Sequence, residues 1–346
     1  MAENKGLGLP QTKGEFKLRG LATGLMRDNA FKVIETKSKK GMHILNFGVD
    51  TAPESTVYVT IQGVERDEVY FGKRSEEKGQ KGETIKVPWK KRHDPQSEGF
   101  NLYGLRIGLE KDLEGKNITK TLVEYDAAEA VYDKLTDGQG VFIRGELEFS
   151  SNKVNDEVKR NKKFNVKQLY LADSVDFESE DFKELNDFRQ RIIYMGIAKV
   201  DDKNDPRFEV SAKIVTYKTV EDTEFIVRDT GLANILRKEL KPYTAIDVWG
   251  NIYNKIDTDE VKEAAKSVWG QQDTFKQVKN NYIRELVLTG ADPESIDKET
   301  YSEAIIEEAL KVFKEFGADN NGNSTSWGQK PDNNDNQESE DDGLPW

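Results

Sequence analysis

The strongest constraint on this 346-residue chain is that part of it occurs twice. Ala128–Leu147 (AEAVYDKLTDGQGVFIRGEL) lies over Ala233–Ile252 (ANILRKELKPYTAIDVWGNI) at an offset of 105 residues. Val131 and Leu135 then meet Leu236 and Leu240, while Val141, Ile143, Gly145 and Leu147 meet Ile246, Val248, Gly250 and Ile252. Each copy reads as a short helix, a tight link and a strand with glycine at the same step. A second match follows in the same order: Val166–Leu171 (VKQLYL) over Ile283–Leu288 (IRELVL), at an offset of 117. Together they predict two copies of one structural unit.

Strand-like segments precede each helix. In the first copy these are Phe16–Met26, Phe31–Thr36, Met42–Asp50 and Thr56–Val64; in the second they are Arg191–Val200, Phe208–Thr219 and Thr223–Arg228. Alternation, β-branched residues and turn signals such as Asp28-Asn29 and Lys40-Gly41 carry this reading. Strands, one helix, then more strands is the order of the OB-fold. The expected fold is mainly β with short helices: two tandem OB-fold Greek-key barrels, a C-terminal helix and a disordered acidic tail. The expected divisions are an N-terminal arm (1–13), a first barrel (14–175) with a basic insertion (72–98), a linker (176–190), a second barrel with the helix (191–316) and the tail (317–346). Within the acidic link, Asp181–Arg191 could also form a helix. Lys298–Phe316 carries an amphipathic stripe of Ile305, Ile306, Ala309, Val312, Phe313 and Phe316.

Composition excludes several classes of chemistry. With no cysteine and two histidines, thiolate chemistry is absent and a zinc enzyme is disfavoured. His43 and His93 read as ordinary polar residues. There is no phosphate-loop or nucleophile motif, and an acidic turn such as Asp201, Asp202 and Asp205 is more often a turn than a magnesium site. No catalytic residue, metal or cofactor is expected. No stretch of 18 apolar residues points to a membrane span, and Met1–Lys13 lacks a signal core, so a cytoplasmic location is expected.

The net charge of −12 argues against a nucleic-acid binder until its distribution is seen. Gly317–Trp346 holds seven acids and one lysine, so the other 316 residues carry −12 − (−6) = −6. Gly72–Arg92 has eight basic residues against three acids, and Lys153–Lys167 has six against two.

Single strands are held by basic grooves with aromatic faces for base stacking. In Gly72–Arg92, Trp89 stands beside Lys90, Lys91 and Arg92, with Lys73, Arg74 and Lys86 nearby and Tyr103 and Arg106 just beyond. The bland alternative is a solvated loop with a locally packed tryptophan. Strand phase turns Tyr58 outward in Thr56–Gln62, and Phe142 and Arg144 outward in Val141–Phe149. It also turns Trp249 and Tyr253 outward in Ile246–Tyr253, either as a stacking platform or as the seat of the C-terminal helix. Arg160, Lys162 and Lys163 form a second basic loop.

The last nine residues are ESEDDGLPW. An acidic run ending in Leu344, Pro345 and Trp346 resembles the acidic tip of bacterial single-stranded DNA-binding proteins. The layout of two barrels in one chain is closer to a bacteriophage member, and Trp346 stands where that family has Phe. The resemblance implies a protein that coats single-stranded DNA in replication, recombination and repair. It also implies partner proteins recruited through Asp341, Asp342, Leu344, Pro345 and Trp346, the aromatic filling an apolar pocket and the carboxylates meeting a basic rim. The alternatives are an assembly protein of a virion or scaffold, and a nucleic-acid enzyme with an unrecognised site.

Overall fold

The computed structural model describes residues 6–75, 80, 82–154, 157–200, 202, 205–256 and 282–318. Period-two alternation builds most of it. β1 (Gly14–Thr23) buries Phe16, Leu18 and Ala22 and turns Glu15 and Arg19 to solvent. After it come β2 (Phe31–Glu35), β3 (Gly41–Ala52) and β4 (Ser55–Val64). An inserted group follows: β5 (Glu68–Lys73), β6 (Glu83–Pro88), a 3₁₀ turn at Trp89–Lys91, and β7 (Asn101–Leu102). The first half closes with β8 (Leu105–Lys111), β9 (Asn117–Leu122), α1 (Glu124–Lys134) and the long hairpin of β10 (Gly140–Val154) and β11 (Glu157–Leu171). The second half is simpler: β12 (Leu185–Val200), β13 (Arg207–Val215), β14 (Val220–Val227), α2 (Thr230–Glu239), β15 (Thr244–Ile256), β16 (Tyr282–Asp297) and α3 (Glu303–Ala318). Asp229 caps α2, its carboxylate accepting from the Leu232 N–H at 2.5 Å.

The two halves share a pairing plan. β1 pairs with β3 and β10, β3 with β4, β10 with β11, and β4 meets β11 in parallel at Thr60 and Asn165. β12 pairs with β13 and β15, β13 with β14, β15 with β16, and β14 meets β16 in parallel at Ile226–Val287 and Val227–Leu288.

The expectation of two tandem OB-fold Greek-key barrels is nevertheless overturned. Thirteen strands are hydrogen-bonded into one mixed sheet, in the order β2-β3-β4-β15-β16-β14-β13-β12-β1-β10-β11-β8-β9, and β5, β6 and β7 form a second sheet. The longer joint is β1, which pairs antiparallel with both β10 and β12, and β4 also meets β15 at Ser55 and Lys255. The stretch Asp181–Arg191, readable as a helix, instead enters β12 at Leu185 and meets β1 there. The core is continuous as well: one cluster runs from Phe16 and Leu45 to Phe225 and Leu288, and the Phe149 and Phe225 rings lie 6.3 Å apart across the halves. Alternation says which side chains a strand buries; it is silent on which backbone its two edges bond.

The long hairpins cross. Arg160 of β11 pairs with Glu224 of β14 at 3.3 Å, and β15 reaches back to β4, where the Asn254 amide donates to the Thr56 carbonyl at 2.7 Å. At the opposite side α3 packs Ile306, Leu310 and Phe313 with Ile193, Val215 and Ala245 and with Leu7 of the N-terminal segment. The Tyr301 hydroxyl donates to the Pro10 carbonyl at 2.9 Å, pinning that segment under the helix.

The matched glycines mark one device used twice. The β10–β11 register shifts between Arg144 and Gly145, and the β15–β16 register shifts between Trp249 and Gly250. At both bulges the opposite strand comes too close for a side chain. A Cβ would stand 2.0 Å from the Asn165 carbonyl oxygen at Gly145 and 1.8 Å from that of Val287 at Gly250. Gly145 faces Val166 and Gly250 faces Leu288, so the last strands correspond at 288 − 166 = 122. The VKQLYL/IRELVL match at 117 is therefore five residues out of structural register. Gly250→Ala and Gly145→Ala should each lower stability by about 1–3 kcal/mol, measured by urea unfolding. Gly196→Ala, where a Cβ meets nothing within 4 Å, should stay within about 0.5 kcal/mol.

Candidate functional site

The structure sorts the residues singled out from sequence into three places. The first is a cleft of about 240 Å³ between the crossing hairpins, lined by Tyr58 of β4, Arg160, Lys162 and Phe164 of β11, Tyr253 and Asn254 of β15, and Arg284 and Glu285 of β16. Both halves contribute, and Tyr58, Arg160, Lys162 and Tyr253 come together here. Arg27 lies over the Tyr58 ring, 5.3 Å from its centroid. The Lys162 ammonium donates to the Glu224 carbonyl at 3.5 Å. Burial pushes its pKa below the usual lysine value, with Glu224 and Glu285 pulling the other way. Glu285 is itself held by Arg228 at 2.7 Å. Burial raises the Tyr253 phenol, so that ring stays neutral. The Asn254 carbonyl oxygen is buried without a hydrogen-bond partner among the described residues, an acceptor in want of a donor.

The second place is the outer face of β8, β11, β10, β1, β12 and β15, which carries Arg106, Phe142, Arg144 and Trp249. Trp249 is 42% exposed and lies across Gly290. It is not the seat of α3, whose packing partners are those named above. Tyr253 shares its strand but belongs to the cleft.

The third place is the inserted sheet. Arg92 binds Asp126 of α1 through two hydrogen bonds of 2.8 and 2.9 Å and covers the Trp89 ring at 4.3 Å. Trp89 meets Tyr125 edge-on at 5.7 Å. Trp89 and Arg92 thus form the joint between insertion and helix. Lys73, Arg74, Lys90 and Lys91 are exposed around it. Lys86 is paired with Glu68 at 3.3 Å, and Tyr103, 59% exposed, lies over Gly72. Lys163 is exposed opposite Glu148 in the hairpin.

Other features resolve locally. His43 is buried and stacked on Tyr125 with ring centroids 3.6 Å apart, and His93 lies 3.4 Å from Asp126. Asp205 pairs with Arg207 at 2.8 Å and Arg228 at 3.1 Å. Among the described residues no group of three or more His, Asp or Glu is placed to hold a metal ion, and no helix is long and apolar enough to cross a membrane. Asp341, Asp342, Leu344, Pro345 and Trp346 lie outside the described residues.

Sequence reasoning missed Arg27, Phe164, Asn254 and Arg284. For Arg284 the signal was there: at the true offset it stands where Lys162 stands, since 162 + 122 = 284.

A family model named YorF matches residues 74–324, more than half of the chain. The chain belongs to the YorF family. No curated protein matches this YorF-family chain by sequence. Among solved structures it is similar to the wild-type single-stranded DNA-binding protein from Thermus aquaticus, with 13% identity, a TM-score of 0.39, and coverage of 82% of this chain and 93% of that one. A deletion mutant of the same Thermus aquaticus protein gives 13%, 0.39, 82% and 94%.

The depressed Lys162 pKa has a signed consequence for anything anionic in the cleft. A bound anion favours the charged ammonium, so between the depressed value and the usual lysine value of about 10.4 binding takes up a proton and affinity falls as pH rises. Lys162→Arg, whose guanidinium stays charged there, should abolish that alkaline loss in a pH series of oligo-dT binding. The same shift makes the unfolded chain bind the proton more readily, so Lys162 adds stability as pH rises through that window.

Proposed function

We propose that this chain is a single-stranded DNA-binding protein without catalytic activity, coating and protecting the strand during replication, recombination and repair. One observation carries the reading: the cleft where Tyr58 and Tyr253 meet Arg160, Lys162 and Arg284, with contributions from both halves. Flat rings offer stacking to any base, and the cations meet the phosphates between bases. Nothing in such a set reads one sequence closely, which is what a coating protein requires. The acid-rich end, ESEDDGLPW, is read as the partner-recruiting element, with Leu344, Pro345 and Trp346 entering an apolar pocket and Asp341 and Asp342 meeting its basic rim.

Fluorescence anisotropy with labelled oligo-dT and a matched duplex, across a salt series, tests this. Binding should favour the single strand and weaken with salt. Tyr58→Ala and Tyr253→Ala should each cost about 1–3 kcal/mol, roughly five- to hundred-fold in affinity. A chain ending at Ala318 should bind as tightly as the intact one or more tightly, and should lose capture of replication and recombination proteins. Equal affinity for duplex and single strand would sink the reading in favour of an assembly role.

A further inference from the structure

The outer face has a structure of its own, laid out by strand register. Arg19 of β1 faces Phe142 of β10, which faces Tyr170 of β11. Two residues along, Lys17 faces Arg144, then Gln168 of β11 and Arg106 of β8 follow. Two more along, Glu15 faces Arg189 of β12, which faces Trp249 of β15. Aromatic rings therefore stand at both ends of a stripe with cations between them. A hollow of about 590 Å³ opens along it, bounded by Lys13, Arg144, Lys167, Arg189 and Arg191.

Many of these cations are spoken for. Arg144 pairs with Glu15 at 3.4 Å, Lys167 with Glu146 at 3.4 Å, and Arg189 and Arg191 share Asp247 at 3.1 Å each. Asp187, across from Lys17, accepts from Asn251 instead. Lys13, Lys17, Arg19 and Arg106 have no carboxylate within ion-pair distance among the described residues. The chain has 64 acidic residues for 52 basic ones, so these four are not unpaired for want of acids. Lys17 and Arg19 project from the same side of β1, about 6.6 Å apart by strand rise, and Lys13 lies one residue ahead of that strand. Free cations flanked by half-buried Phe142 and Tyr170 at one end and exposed Trp249 at the other suit a polyphosphate backbone with stacking bases.

This stripe is separate from the cleft. Arg160, Lys162 and Phe164 share the phase of buried Val166, whereas Lys163 and Asn165 alternate to the outer side. A strand segment in the cleft leaves the stripe open.

We infer that the outer face is a second track for single-stranded nucleic acid, so that one chain holds two strand segments at once and bridges them. The inference rests on the single-strand reading of the cleft for the first of its two tracks.

Bridging tests it directly. Biotinylated oligo-dT on beads is loaded with the full chain and challenged with a short fluorescent oligo-dT; captured fluorescence reports one chain holding two strands. Lys17→Gln/Arg19→Gln, both at the surface, should cut capture about tenfold or more while leaving single-oligo binding through the cleft in place. In a Tyr58→Ala/Tyr253→Ala background the same pair should lower the slope of log affinity against log salt by about 1.4, two phosphate contacts at 0.7 each. Undiminished capture by Lys17→Gln/Arg19→Gln overturns the inference. So does a loss of capture accompanied by a fall from two chains to one in sedimentation, which would make this face an interface between copies that each bring a strand. If Tyr58→Ala/Tyr253→Ala alone leaves single-oligo affinity unchanged, the cleft reading fails, and loss of that affinity in Lys17→Gln/Arg19→Gln would leave the outer face as the track.

Discussion

β1 is the strand on which everything else depends, because both of its edges are hydrogen-bonded. Pairing with β10 completes the first half, and pairing with β12 makes the second half a continuation of the same sheet. The seam is secured from inside. Gln190 of β12 is fully buried and its amide donates to the Thr12 carbonyl at 2.7 Å, just ahead of β1. Gly14 is the residue that lets it pass, since a Cβ there would stand 1.8 Å from the Gln190 side-chain oxygen. Thr12 in turn accepts from the Val215 N–H at 2.7 Å, tying the approach to β1 onto β13. Both candidate surfaces follow: the outer stripe runs straight across the seam, and the cleft forms where the hairpins lean over it.

Much of the local structure was legible in the sequence. Alternation located β1, β3, β4 and β10 closely, and the strand phase turned Tyr58, Phe142, Arg144 and Trp249 outward as the structure has them. The matched helix-link-strand segments are α1–β10 and α2–β15, and their shared glycine is the bulge glycine. Illegible were the relations that depend on edges rather than faces. A backbone N–H carries no residue identity, so nothing in the β1 sequence announced β12 as its neighbour. The same holds for the candidate sites. Lys17 and Arg19 are outward by simple phase, yet their partnership with Phe142 and Tyr170 exists only through register. Trp89 shows the converse: the chain sets it beside three basic residues, but one of them, Arg92, is engaged by Asp126, 34 residues further along.

The electrostatics explain how an acidic chain can offer basic surfaces. Some acids among the described residues are set against particular cations, as Asp247 is against Arg189 and Arg191, and Glu110 against Lys120 and Lys134. The two lysines hold the Glu110 carboxyl down to about 2, so that cluster stays ionised at any physiological pH. Pairs of this exposed kind contribute little stability. Their larger effect is on the field, because they remove some cations from competition and leave others for a ligand.

The crossing of the hairpins also sets an order in time. Asn254 and the Thr56 carbonyl that it bonds are 198 residues apart, and Arg160 and Glu224 are 64 apart. Chains are made from the N-terminus at about 5–20 residues per second, so β4 and its Tyr58 are out of the ribosome well before β15 and β16 exist to complete the cleft. A nascent or truncated chain that has only its first half carries half a clasp. The cleft is therefore completed only late in synthesis, once both halves have folded against each other.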